Sequence, residues 1–329
     1  MSAVASPSTA AAMAISGVWY SEVAYGQWIP GDATSSRRLH LPAGTTPIAS
    51  GAGLVVVADR TASSTKIGVW EPATGLQAAS AVVPFNVTGA AVSPDGSEVY
   101  LAGVTGGQPV SDAGVSSLSI RSGKVSQLVD PAPLAKAWQG NAAREVAVST
   151  DGSDLATALC GAPAGSAESS CELSVVDPSS GALMGRVSTA ALYLAAVGPS
   201  ALITRNQQSV VAFDFAGSEL WRFDAAEIRG PIAAAAGRVL VAYAPAGTTG
   251  PTRVAALADG AARDLLTATG DAELTIWPRL SDARTFVVAD GTAMEAAFGS
   301  ASVLSASAID AATGAVSRDS ISITSGGMP

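Results

Sequence analysis

The chain is poor in the residues from which catalytic and metal sites are usually built. Its 329 residues include one histidine, His40, and two cysteines. A lone histidine cannot form a multi-histidine zinc site, and the Ser–His–Asp and Cys–His arrangements need a histidine beside the nucleophile. The phosphate-binding G-x-x-x-x-G-K-[ST] loop, the G-x-G-x-x-G turn and EF-hand spacing are missing as well. We therefore predict no catalytic residue, no metal site and no cofactor.

Positive charge and long apolar runs are also scarce. Lysine occurs only at Lys66, Lys124 and Lys136, and the net charge is −9. Because the basic residues are scattered, no stripe of them could neutralise the phosphates of a nucleic acid. No run of about 18 apolar residues occurs, so we expect no direct membrane insertion. The stretch 10–15 is too short, and lacks the basic flank, for a signal peptide.

The chain is rich, by contrast, in strand-like segments that end in glycine turns. Between most of these turns lie two further apolar strands, such as TGAAVS and SEVYLAG around the turn SPDG at 93–96. The turn STDG at 149–152 separates REVAVS from DLATALC in the same way. Four short strands in a period in the forties are typical of propeller blades. The turn glycines, about 48 residues apart on average, are Gly75, Gly123, Gly181, Gly217, Gly260 and Gly314.

A weaker relative of this repeat lies at 25–41 and brings the number of units to seven. We therefore predict an all-β fold, a seven-bladed β-propeller of four-stranded antiparallel blades. It spans 10–329 and follows a linker-like tail at 1–9. Six blades plus an N-terminal extension is the alternative. Only 134–140 and 293–298 are compatible with single helical turns.

Several blade sequences resemble known propellers. VVDPSSGALMGRV, AIDAATGAV and AVSPDGSEVYLAG resemble bacterial YVTN-type and WD-repeat-like propellers, and VVAFDFAGSELWRF is similar to a quinoprotein-type blade. The resemblance implies the fold and leaves the function open, because propellers serve as enzymes, sensors and scaffolds alike.

The two cysteines predict a disulfide. Cys160 and Cys171 bracket ten small or polar residues between two strand-like segments, and a hairpin would bring them within bonding distance. A bridge indicates an oxidising compartment, whereas two free thiols would indicate an intracellular chain. We favour the bridge and expect an extracytoplasmic protein whose export signal precedes this sequence.

The connections between strands differ between the two faces of such a ring. If the strands of each blade are labelled A to D from the axis outward, the A–B and C–D turns share one face. The B–C and D–A connections share the other, which we call the long-loop face, because its connections are longer and more varied. Function usually resides on such loops above a rigid scaffold. The candidate loops are 59–65, 104–114, 161–170, 244–252 and 290–302 between B and C, and 129–145 between D and A.

The candidate binding residues all lie on this long-loop face. Trp138 is a possible anchor in a polar loop with Asn141, and Phe298 beside Glu295 could form an apolar knob; packing within the loops is the alternative. Arg144, before an A strand, belongs to the rim of the axial channel. The residues that follow B strands at this rim, for which a solvated role is the alternative, are Asp59, Arg60, Arg205 and Asp290.

Most of the recurrent carboxylates have a structural explanation. Asp95 and Asp151 lie in the tight SPDG and STDG turns, where an aspartate accepts backbone N–H bonds two residues further on. The same explanation covers the acidic residues before the C–D turns, which are Glu71, Asp177, Asp214, Asp259 and Asp310.

These observations favour a bacterial, extracytoplasmic, non-enzymatic binding or sensor propeller. Its ligand, an unidentified protein, small molecule or carbohydrate, would bind on the long-loop face. One alternative is a lactonase-like or carbohydrate-active enzyme that uses carboxylates and a bound metal. Another is an intracellular interaction scaffold, which free thiols at Cys160 and Cys171 would favour.

Overall fold

The computed structural model consists of short antiparallel strands. It describes residues 12–15, 18–22, 28–31, 45–71, 74–105, 110–132, 143–161, 170–190, 193–198, 201–235, 238–245, 251–268, 274–278, 285–290, 302–310 and 313–323. Every helix or strand assigned within these ranges is a strand. None of the described residues forms a helix long and apolar enough to cross a membrane.

The strands form one three-stranded sheet and six four-stranded sheets among the described residues. The three-stranded sheet, sheet N, contains β1 (Ala12–Ile15), β2 (Val18–Glu22) and β3 (Trp28–Gly31). The first three four-stranded sheets follow in chain order. Sheet 1 comprises β4 (Thr46–Gly51), β5 (Leu54–Arg60), β6 (Thr65–Glu71) and β7 (Leu76–Val83). Sheet 2 comprises β8 (Asn86–Val92), β9 (Glu98–Val104), β10 (Asp112–Ser119) and β11 (Val125–Val129). Sheet 3 comprises β12 (Ala143–Val148), β13 (Leu155–Gly161), β14 (Ser170–Val176) and β15 (Leu183–Ala190).

The remaining sheets repeat this pattern. Sheet 4 comprises β16 (Tyr193–Gly198), β17 (Ala201–Arg205), β18 (Ser209–Phe213) and β19 (Glu219–Asp224). Sheet 5 comprises β20 (Glu227–Ala235), β21 (Arg238–Ala244), β22 (Arg253–Ala258) and β23 (Ala261–Thr267). Sheet 6 comprises β24 (Leu274–Pro278), β25 (Thr285–Asp290), β26 (Ser302–Asp310) and β27 (Val316–Ile323).

The sheets are arranged as in a propeller. Within each one, strands that are consecutive in the chain pair antiparallel, and the first strand of each four-stranded sheet contacts the first strand of the next. The first strands therefore lie innermost and the fourth strands outermost. The fourth strands expose apolar side chains, with Leu76 65% and Met184 50% exposed, whereas the middle strands are buried.

The core consists of apolar layers between successive sheets. Leu54, Val56 and Val69 of sheet 1 share one layer with Val87 and Leu101 of sheet 2. Corresponding layers join sheets 3 and 4, sheets 4 and 5, and sheets 5 and 6. Since each strand alternates its side chains between two faces, a middle strand contributes to the layers on both sides of its sheet. This explains the continuous apolar runs in β5, β9 and β21.

The glycine turns that mark the repeat are confirmed. All six repeat glycines have positive φ angles, between 67° and 93°, a region that glycine enters without a steric penalty. Asp177 accepts the predicted bond from the backbone N–H two residues further on, that of Ser179, at 2.7 Å. Asp310 accepts the N–H three residues on, and Asp214 the N–H four residues on, both at 2.7 Å. Asp259 differs, because it adopts a left-handed φ of 50° itself.

The SPDG and STDG turns have almost identical geometry. Asp95 Oδ1 accepts the Ser93 hydroxyl at 2.6 Å and the Ser97 backbone N–H at 3.0 Å. Asp151 accepts the equivalent bonds from Ser149 at 2.7 Å and Ser153 at 3.0 Å. These hydrogen bonds lower the pKa of both carboxylates, and the bonds from the Ser93 and Ser149 hydroxyls have the largest effect. The predicted turn role of both aspartates is therefore confirmed.

The N-terminal unit departs from the expected four-stranded blade. In the described residues sheet N has three strands, and β1 lies against β27 while β3 lies against β4. The two stretches expected to form helical turns, 134–140 and 293–298, lie outside the described residues.

Candidate functional site

The long-loop face is built from the ends of second and fourth strands and the beginnings of first and third strands. The connections from second to third strands run from 61–64 in sheet 1 to 291–301 in sheet 6, and their lengths differ as expected. Sheets 1 and 4 are the short exceptions, because only 61–64 separate β5 from β6 and only 206–208 separate β17 from β18.

The predicted disulfide lies at the base of one of these loops. Cys160 is the last residue but one of β13, which is buried along its whole length. Cys171 lies directly opposite it in β14, and the two are bonded. The bridge joins residues that are already cross-strand partners, so it closes the loop 161–170 at its root. Both cysteines are buried, at 5% and 2% exposure.

A small polar residue at or beside the start of the third strand recurs on this face. Thr65 donates to the Phe85 carbonyl at 2.9 Å and accepts the Val87 N–H at 3.1 Å. Thr252 occupies a similar place and accepts a bond from Arg229 at 2.9 Å. Each of these residues joins the third strand by hydrogen bonds to a first strand or to the residue just before one. The roots of the loops are thereby fixed by buried hydrogen bonds, which are costly to break.

Asp112 is the charged member of this series, and it requires a counterion. Its two carboxylate oxygens accept bonds from Nε and Nη2 of Arg144, both at 2.6 Å. Oδ2 also accepts the backbone N–H of Ala132 at 2.6 Å, and Oδ1 accepts that of Gly114 at 3.0 Å. The side chains are 5% exposed for Arg144 and 0% for Asp112. One buried ion pair thus fixes the ends of the loops 105–111 and 130–142.

The placement of Arg144 at a solvated rim is therefore wrong. Its guanidinium is enclosed between sheets 2 and 3, where Nη1 also donates to Thr157 at 3.1 Å. Its backbone exchanges two bonds with the Thr88 hydroxyl, at 2.6 and 3.0 Å. The alternation of β12 turns Arg144 into the interface between the sheets and leaves its neighbour Glu145 on the other side of the strand.

A second charged pair on this face involves Arg205, one of the predicted residues. Arg205 ends β17, and its charge interacts with Glu145 of β12, in the preceding sheet. Burial raises the pKa of Glu145, and the positive charge of Arg205 opposes that rise. Burial likewise lowers the pKa of Arg205, and Glu145 opposes the decrease. Sequence reasoning missed Glu145; an acidic residue within an innermost strand was the available signal.

The other predicted residues differ in what the structure shows of them. Arg60 donates from Nε to the Val87 carbonyl at 3.1 Å, so part of its role is to join sheets 1 and 2. Asp59 is half-buried beside it, opposite Lys66. Asp290 ends β25, opposite Leu274, which places it at the expected end of sheet 6. Four predicted residues lie outside the described ranges, namely Trp138, Asn141, Glu295 and Phe298.

A metal-dependent chemistry would need a cluster of ligands. Within the described ranges, no group of three or more His, Cys, Asp or Glu side chains is arranged to hold a metal ion.

Comparisons with known proteins identify the fold. No protein-family model and no curated protein matches the chain. A solved prolyl endopeptidase is similar, with a TM-score of 0.56 and 11% identity over 96% of this chain and 50% of that one. Prolyl oligopeptidase B from Galerina marginata gives a TM-score of 0.54 and 11% identity over 94% and 51% of the two chains. Oligopeptidase B from Leishmania major gives 0.50 and 10% over 98% and 50%.

The chain spans about half the length of each of these structures. At such low identity the likeness concerns the fold alone. The chain therefore has a propeller-type fold built from four-stranded antiparallel sheets.

Proposed function

We propose that this chain is an extracytoplasmic, non-enzymatic binding domain, a seven-bladed propeller that recognises its ligand on the long-loop face. Sheet N would be the seventh blade. The contacts of β1 with β27 and of β3 with β4 support this, because they join the two ends of the series of sheets. The Cys160–Cys171 bridge supports an oxidising compartment.

The observation that carries the binding function is the anchoring of the loop roots. A surface binds more tightly when its loops are held in place before the ligand arrives, since less conformational entropy is then lost. The Asp112–Arg144 pair holds two long loops of this face from beneath, and the disulfide holds a third. The candidate contacts are Asp59, Arg60, Trp138, Asn141, Arg205, Asp290, Glu295 and Phe298.

Oriented immobilisation tests this proposal. The variant Ala261→Cys attaches the protein to a support through the turn face, and Ser63→Cys attaches it through the long-loop face; both positions are exposed. Peptide and protein arrays, which carry no saccharide, are then probed with fluorescent beads that carry each form. We expect ligands to bind the beads oriented by Ala261→Cys and to be lost with Ser63→Cys and with Trp138→Ala in the first orientation. The proposal would be overturned if binding were unaffected by both the Ser63→Cys orientation and Trp138→Ala. It would also be overturned if the protein bound to neither array.

A further inference from the structure

Sheet 2 breaks the repeat at a position where the other four-stranded sheets are apolar. Near the end of the third strand, just before the turn to the fourth, one side chain points toward the next sheet. In the other five sheets this residue is apolar and buried, namely Val69, Val175, Ala212, Ala256 and Ala308. The equivalent residue of sheet 2 is Ser117, which is half-buried. Two residues later, sheets 1, 3, 4 and 6 have a carboxylate, and sheet 2 has Ser119.

The polar substitution continues onto the two strands that flank β10. Ser117 pairs with Tyr100 on β9 and with Ser126 on β11, so the three form one cross-strand row. Ser119 pairs with Glu98, and its backbone N–H donates to the Lys124 carbonyl, so these three residues form a second row. Side chains alternate along each strand, so both rows lie on the face turned toward sheet 3. The opposite face of the same strands, with Val99, Leu101 and Leu118, packs in the apolar layer toward sheet 1.

These rows form one wall of a cleft of about 700 Å³ between sheets 2 and 3. The other wall is contributed by the turns of sheet 3, around Asp151–Gly152 and Pro178–Ser180. The cleft opens on the turn face, opposite the long loops. Its volume lies in the range of small-molecule sites. Beneath it, the layer between sheets 2 and 3 is filled by apolar side chains such as Ala102, Val115 and Leu155, as the other layers are.

Several polar groups in the cleft have donors or acceptors that are not used in hydrogen bonds within the described chain. Glu98 accepts one bond, from the Ser117 hydroxyl. The Tyr100 hydroxyl, the Ser119 and Ser126 hydroxyls and the Lys124 ammonium donate to no other group of the described chain. Tyr100 itself is only 6% exposed, so its ring is fixed in the apolar layer beneath and its hydroxyl is presented at the base of the cleft.

The chemistry of these groups selects the ligand. An apolar molecule would leave them unpaired, which is costly. An anion would face the carboxylates of Asp95, Glu98 and Asp151 against the single ammonium of Lys124. A cation offers no acceptor to the Lys124 ammonium or the Tyr100 hydroxyl, and the ammonium repels it. A sugar hydroxyl both donates and accepts, and it satisfies the carboxylates, the hydroxyls and the ammonium together.

We propose that the cleft between sheets 2 and 3 binds a neutral polyhydroxylated ligand, a mono- or disaccharide. Glu98 and Asp151 accept from its hydroxyls, and Tyr100, Ser119, Ser126 and Lys124 donate to or exchange bonds with it. The site is separate from the long-loop face and does not depend on what that face binds.

Saturation-transfer difference NMR and calorimetry with a panel of named probes test this site. The panel contains glucose, galactose, N-acetylglucosamine, maltose, trehalose and myo-inositol, with arginine and spermidine as cationic probes and phosphate as an anion. We expect at least one saccharide to bind in preference to the charged probes. The variant Ser117→Val, which restores the aliphatic residue of the other sheets, should weaken that binding at least tenfold without loss of thermal stability.

Two further variants keep the test decisive. Tyr100→Phe removes one hydroxyl and leaves the packing intact, and it should weaken the same saccharide several-fold. Ser188→Val makes the Ser117→Val change at an exposed position on β15, outside the cleft, and should leave binding unchanged. The proposal is overturned by a panel in which no saccharide binds, by tighter binding of arginine or spermidine, or by saccharide binding that both cleft variants leave intact.

Discussion

Arg144 and Asp112 form a two-pronged ion pair that is closed off from solvent between sheets 2 and 3, with both N–O distances at 2.6 Å. Two backbone N–H groups complete the coordination of the carboxylate. Each guanidinium nitrogen and each carboxylate oxygen therefore has a hydrogen-bond partner within the protein, which is the condition under which a buried pair is tolerated. The pair connects the long-loop face to the core of the fold.

Removing one partner of this pair should be severely destabilising. Asp112→Ala leaves the Arg144 guanidinium buried without a counterion, and a loss of about 3–5 kcal/mol in the free energy of unfolding is expected. Urea denaturation followed by tryptophan fluorescence measures it. Glu219→Ala is the matched control, because it breaks an exposed ion pair with Arg222. The side chain of Arg222 is 40% exposed and that of Glu219 is 42% exposed. That change should cost less than about 1 kcal/mol. Equal losses in both variants would contradict the role assigned to Asp112.

The disulfide should stabilise the fold and should respond to reduction. The bridge spans a sequence separation of 11, and its removal in Cys160→Ala/Cys171→Ala should lower stability by about 2–3 kcal/mol. Alkylation followed by mass spectrometry provides the direct check on the bond. The protein denatured without a reductant should take up no alkyl group, and the protein denatured after reduction should take up two. Uptake of two groups without reduction would exclude the bridge and remove the support for an oxidising compartment.

The SPDG and STDG turns predict a specific dependence on acid. The folded-state pKa of Asp95 and of Asp151 is lowered, so each carboxylate contributes stability above its ordinary pKa that is lost as the pH falls through the lowered value. Asp95→Ala should therefore destabilise the protein by about 1 kcal/mol at neutral pH and by much less in strong acid. Thermal unfolding across the acid range compares the two proteins. A difference that persists undiminished in strong acid would show that the carboxylate charge is irrelevant to the turn.

The Glu145–Arg205 pair predicts an effect on titration. Arg205 opposes the rise that burial imposes on the pKa of Glu145, so Arg205→Ala should raise that pKa further, and Arg205→Lys should largely preserve it. Because the folded-state pKa is raised, this carboxyl lowers stability as the pH increases from the ordinary carboxyl range through the folded value. NMR titration of the Glu145 carboxyl carbon measures the change. An unchanged pKa in Arg205→Ala would show that the two charges do not interact.

The features that could be predicted from the sequence are those set by neighbouring residues. Asp95 with Ser93 and Ser97, the turn glycines, and the cross-strand pair of Cys160 with Cys171 all depend on short stretches of chain. The burial of Arg144 and its contact with Thr88 could not be predicted, because 56 residues separate the two and the contact depends on how sheets 2 and 3 stack. The cleft was missed for the same reason. Ser117 and Ser119 look like ordinary strand residues until their register places them opposite the turns of sheet 3.

Hydrogen–deuterium exchange with a ligand identified on the arrays tests the binding proposal most directly. If the ligand docks on the long-loop face, amide exchange should slow in the loops 61–64, 105–111 and 206–208. Exchange at the opposite turns, 93–97 and 177–182, should stay the same. Protection confined to those turns, with unchanged exchange in these loops, would contradict the assignment of the long-loop face.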